Sequence, residues 1–217
     1  KARFSIPQFS DAATWSAAKN LWVMTIMAVI VTQVGIIVAG VFVSATELAY
    51  LSTALRVAGL ASFVLVIVNM VVAPQYAKLW KSQDIESIQK LARLSTRGMV
   101  ALVLPIVLFF ALYADWVMGW FGPGFESGGS FLVILVIGQF VNVATGSVGY
   151  LLIMSGHERD LRKITIGTGS ISIILAIVLT YLYGAIGAAI SSAFGLGIQN
   201  LIALFKVKQR LGFWPMG

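Results

Sequence analysis

One arginine, Arg56, stands inside a long apolar run, residues 48–77. A cation in the body of a membrane span costs at least about 2.5 kcal/mol on insertion scales, so by default it faces a cavity, a partner or an anion. The competing reading is a side chain that snorkels to the interface or joins a structural ion pair. Glu47 precedes it by nine positions, half a turn out of phase at about 100° per residue, so the two do not pair within one helix. Gln33, Asn69, Gln139, Asn142, Gln199 and Asn200 also fall in apolar runs. They suit either a polar path shared with Arg56 or hydrogen bonds between helices. Gln139 and Asn142, three positions apart, share a helix face.

Other chemistry is hard to assemble. Cysteine is absent, which removes thiolate metal sites, disulfides and cysteine nucleophiles together. His157 is the only histidine; without a second imidazole it reads as a solvated loop residue, not a metal ligand. Gly167-Thr168-Gly169-Ser170 lacks the lysine of a phosphate-binding loop and sits in an apolar run. No catalytic set, metal site or cofactor is expected, and the chain reads as a protein that is not an enzyme.

The elements that hold these residues are set by composition. Hydrophobic residues make up 59% and charged ones 11%, with a mean hydropathy of +0.94; a soluble domain carries about 25% charge. The net charge of +7 would suggest nucleic acid, but the basic residues cluster in alternate loops and form no stripe with interleaved aromatics, which argues against it. A spanning helix needs about 20 mostly apolar residues. The chain supplies six such runs, at about 21–43, 48–77, 99–114, 131–154, 164–183 and 185–205, with an amphipathic interfacial helix at 81–97. Pro74 is expected to end the second run and Pro105 to kink the third. Gly122-Pro123-Gly124 and Gly128-Gly129 mark 115–129 as a loop. Gly184, Gly187, Ala188, Ala189, Ser191 and Ser192 form a small-residue face suited to close helix packing. The predicted fold is all-α: a polytopic bundle of six transmembrane helices.

Lys and Arg occupy residues 1–19, 78–97, 159–163 and 206–210, whereas the alternate loops hold only Glu47, Asp115 and Glu126. Positive residues stay on the cytoplasmic side, so both ends of the chain are expected there, in a cell inner membrane. Lys1 in place of Met, with no signal-like segment behind it, suggests a cut within a longer protein, residues 1–20 being a connection from a preceding part.

Glu47-Leu48-Ala49-Tyr50-Leu51-Ser52-Thr53-Ala54-Leu55-Arg56-Val57-Ala58, continuing at Val71-Val72-Ala73-Pro74-Gln75-Tyr76-Ala77-Lys78-Leu79, resembles the second helix of the carboxy-terminal lobe of polysaccharide-exporting flippases, within the multidrug/oligosaccharidyl-lipid/polysaccharide exporter superfamily. Leu152-Ile153-Met154-Ser155-Gly156-His157 and Tyr183-Gly184-Ala185-Ile186-Gly187-Ala188-Ala189-Ile190 are similar to two of that family's turns. The resemblance implies a parent of two six-helix lobes around a central cavity, of which residues 21–217 are the second. It also implies a polyprenyl-linked oligosaccharide as substrate, with membrane lipids and the first lobe as partners and Arg56 as the head-group ligand. Gln33, Asn69, Gln139 and Asn142 are candidate cavity-lining residues. A cation-coupled multidrug antiporter is the rival within the superfamily. A membrane-embedded glycan-modifying enzyme or a scaffold is the rival outside it.

Overall fold

A computed structural model describes residues 12–216, and every regular element among them is helical. The expected connection at 1–20 falls partly outside the described residues; 12–20 already belong to helix α1, Ala12–Phe42. Among the described residues, four stretches are long and apolar enough to cross a membrane: Ala45–Lys81, Ile85–Leu112, Phe125–Met154 and Glu158–Leu211.

Helix α2, Ala45–Gly59, opens with a reciprocal cap in which Ser44 Oγ accepts from the Glu47 N–H while Glu47 reaches back to the Ser44 backbone. This arrangement satisfies two otherwise orphaned donors. A 3₁₀ turn at Leu60–Ser62 joins α2 to α3, Phe63–Lys81. Pro74 lies inside α3 and does not end it. A proline forfeits one backbone bond, but leaving the helix within an apolar layer would orphan many, so continuation is favoured.

The expected boundary between an interfacial helix and a third span is likewise missing. Helix α4 runs unbroken from Ile85 to Leu112 with Pro105 inside it. Its buried residues, Ile88, Ala92, Thr96, Met99, Val103 and Val107, keep one helical periodicity across Gly98, which explains why no break occurs there. At its start the Ser87 N–H binds Asp84 Oδ1 at 3.0 Å. That backbone bond, helped by the Ser87 hydroxyl, holds the Asp84 carboxyl below its ordinary range.

The segment expected to be a loop contains a short helix α5, Ala114–Gly119, and a 3₁₀ turn at Phe125–Gly128, separated by Gly122 and Gly124 at positive φ. Helix α6, Gly129–Ala144, then ends halfway along the predicted fourth span. Thr145, Gly146 and Ser147 leave the helix before α7, Val148–Met154. Gly146 has φ +76°, and a Cβ there would meet Thr96 Oγ1 of α4. Left-handed backbone and close approach both require glycine at that point.

Helix α8, Glu158–Leu211, is nominally 54 residues, or roughly 80 Å if straight, against a hydrocarbon layer of about 30 Å. It is not straight. Gly184 adopts φ 60° and ψ −140°, and the chain reverses there: Thr168 Oγ1 donates to Gln199 Oε1 at 3.4 Å, and Arg210 Nε reaches Asp160 Oδ2 at 2.6 Å. The small-residue face beyond the turn is consumed by packing. Cβ atoms on Gly35, Gly138 and Gly187 would collide with Ser192, Ala193 and Leu179 respectively.

Two hydrophobic cores result. One gathers Leu51, Ala54, Val103, Met118, Leu132 and Val136; the other gathers Val72, Tyr76, Ile88, Leu152, Leu204 and Val207. They divide at the level of the α6–α7 break. Aromatic contacts define the ends beyond them: Phe42–Tyr181 and Tyr50–Phe125 at one, Trp80–His157 and Phe205–Trp214 at the other.

Candidate functional site

Between the two cores lies a polar layer. Asn200 Nδ2 donates to Asn142 Oδ1 at 3.0 Å and to the Leu196 carbonyl at 2.9 Å, while Asn142 Nδ2 donates to Gln139 Oε1 at 3.3 Å. The helical arrangement thus brings Gln139, Asn142 and Asn200 into one network, all three partly exposed. The Thr168–Gln199 bond extends this layer to the first arm of α8.

Further polar groups gather where the chain leaves the helix. Thr145 and Ser147 are buried, and Thr145 Oγ1 donates to the Asn142 carbonyl at 2.8 Å. Buried Thr96 faces Gly146, and the Tyr76 hydroxyl lies 3.5 Å from Ser95 Oγ. Asn69 is buried elsewhere on α3, its Oδ1 without a hydrogen-bond partner among the described residues. Composition alone offered one unused signal for this layer: Thr145-Gly146-Ser147 is a run of small polar residues in the middle of an apolar stretch.

Arg56 belongs to a different surface. It is exposed on α2 and makes no hydrogen bond or ion pair among the described residues, heading a stripe of exposed apolar side chains at Leu60, Phe63, Ile67 and Met70. Gln33 is exposed on α1. No hydrogen bond among the described residues joins either of them to the Gln139–Asn142–Asn200 network. Glu47, the acid nearest Arg56 in sequence, is occupied by its cap.

Charge is sorted by end. The end holding Ser44, α5 and the Gly184 turn carries Glu47, Asp115 and Glu126 and no Lys or Arg among the described residues, whereas Lys78, Lys81, Lys90, Arg93, Arg159 and Lys206 gather at the other. Asymmetric basic ends on long apolar helices are the mark of an oriented membrane protein. Among the described residues no group of His, Asp and Glu is placed to hold a metal ion.

These features define a helical membrane protein with an internal polar layer and one exposed cation on an apolar face. A family model described as "polysaccharide biosynthesis protein" matches residues 1–121, more than half of the 217 residues. The chain belongs to that family, consistent with the resemblance to polysaccharide-exporting flippases, and is a membrane protein of polysaccharide biosynthesis. No curated protein and no solved structure matches it.

Proposed function

We propose that the chain is the carboxy-terminal lobe of a flippase that moves a polyprenyl-linked oligosaccharide across the inner membrane for cell-surface polysaccharide synthesis. In this reading it crosses six times, through α1, the joined α2–α3, α4, the joined α6–α7 and the two arms of α8, with both ends cytoplasmic.

One observation carries the reading: Arg56 is exposed within an apolar stretch and lacks a protein partner among the described residues. An exposed cation at this depth is costly against lipid but suited to an anion in an aqueous cavity. The guanidinium binds phosphate oxygens in a planar fork, which fits the pyrophosphate of a lipid-linked sugar. The apolar stripe beneath it would face the first lobe or the polyprenyl chain. A cation-coupled antiporter is less well supported, because Glu47, the acid closest to Arg56 in sequence, serves as a helix cap.

The test is export by the intact parent protein. Arg56→Ala should abolish surface polysaccharide, and Arg56→Lys should retain part of it. Wild-type export from both variants would eliminate the head-group role.

A further inference from the structure

A second surface, at the acid-bearing end, has features the translocation reading leaves unused. A cleft of about 450 Å³ is lined by Leu112, Tyr113, Asp115 and Trp116 on one side and by Gly129, Ser130 and Val133 at the start of α6 on the other. Its size falls in the range of ligand pockets, about 300–1,000 Å³. Trp116 is 56% exposed and its ring is braced edge-on by Trp120 at 4.5 Å, by Phe109 at 6.2 Å and by Tyr113 at 6.4 Å.

From this arrangement we infer a sugar-binding site that holds a neutral hexose or N-acetylhexosamine ring of the translocated glycan. A pyranose has an apolar C–H face and a rim of hydroxyls. Trp116 and Tyr113, both more than half exposed on the lining, supply aromatic surface for the first, and the Asp115 carboxylate and Ser130 hydroxyl offer an acceptor and a donor for the second. A belt of aromatics at the membrane interface would account for the rings alone. It would not account for a concave site that sets a carboxylate and a hydroxyl beside them. The same charge argues against an anionic phospholipid head group: Asp115 lines the cleft, Glu126 lies in the following turn, and no cation at this end among the described residues offsets them. Anionic ligands, uronic acids included, are disfavoured by the same repulsion.

The site rests on the proposal that the family's glycan passes this lobe, so its test must not depend on transport. Saturation-transfer NMR on the intact parent protein in nanodiscs, with soluble lipid-free trisaccharides of neutral hexose, N-acetylhexosamine and uronate, separates the two. Signal is expected from the neutral or N-acetylhexosamine probe and not from the uronate. Trp116→Leu should weaken binding by about tenfold, equivalent to losing one stacked ring, and Trp116→Phe should restore most of it. Asp115→Asn should relieve the exclusion of uronate. Absence of signal from every probe, binding unchanged in Trp116→Leu, or preference for uronate in the wild type would overturn the site. None of these results would alter the Arg56 export test.

Discussion

Asn200 and Asn142 lie 58 positions apart in sequence and are joined amide to amide at 3.0 Å. Because Asn142 also binds Gln139, the contact ties the second arm of α8 to α6 beside the point where α6 unwinds. Hydrogen bonds between membrane helices contribute about 0.6 kcal/mol on average and up to roughly 2. Asn142→Ala and Asn200→Ala should each destabilise by an amount in that range, and the double variant should lose less than the sum. Thermal unfolding in detergent checks this; strict additivity would mean the two amides do not interact.

Glycines supply a second contrast. Gly184 sits in a backbone region that side chains rarely enter, so Gly184→Ala should cost about 1–3 kcal/mol. Gly187→Ala should be worse tolerated than its helical position suggests, since the new methyl meets the Leu179 carbonyl. Gly167, with nothing within 4 Å of its virtual Cβ, should accept alanine with a gain of about 0.5–1 kcal/mol. Both Gly184→Ala and Gly187→Ala should melt below the parent and Gly167→Ala above it.

The break at Thr145–Gly146–Ser147 invites a local test. Gly146→Ala places a methyl against Thr96 Oγ1 and strains a φ of +76°. Combining it with Thr96→Ala removes the collision but leaves the strain. The double variant should therefore recover part of the lost stability and not all of it. Complete recovery would show that φ at this position is unimportant.

Protonation bears on one helix end. The Ser87 backbone bond lowers the Asp84 carboxyl's pKa, so its stabilising effect is fully present above the ordinary carboxylate pKa and is lost as pH falls through the lowered value. Amide exchange at Ser87 should therefore lose protection on acidification, once corrected for intrinsic rates. Asp84→Asn should flatten that pH dependence.

Hydropathy was informative about helical class, and the alternation of basic loops matched the two ends that folding separates. It misjudged places where backbone continuity is decided by packing. Pro74 looked like a terminus, yet α3 passes it; an interfacial helix at 81–97 looked separate from a span at 99–114, yet the buried face of α4 runs through both. Conversely, 131–154 looked continuous because its residues are apolar, while Gly146 answers to Thr96, a residue 50 positions away. The pairing of Gln139 with Asn142 was readable from spacing; their meeting with Asn200 needed the reversal at Gly184. Trp116 and Trp120 carried no spacing signal, since a cleft is made by the approach of α6 to α5.

The split between two apolar cores has a mechanical consequence. The joined α6–α7 passes from one core to the other through Gly146, whose positive φ interrupts the helix, whereas α4 runs unbroken from Ile88 in one core to Val107 in the other. Rotation of α7 need not be transmitted rigidly to α6. The pivot is therefore local to one helix: α7 can swing against α6 while α4 and the second arm of α8, each contributing to both cores, hold the two in register like a pair of dowels.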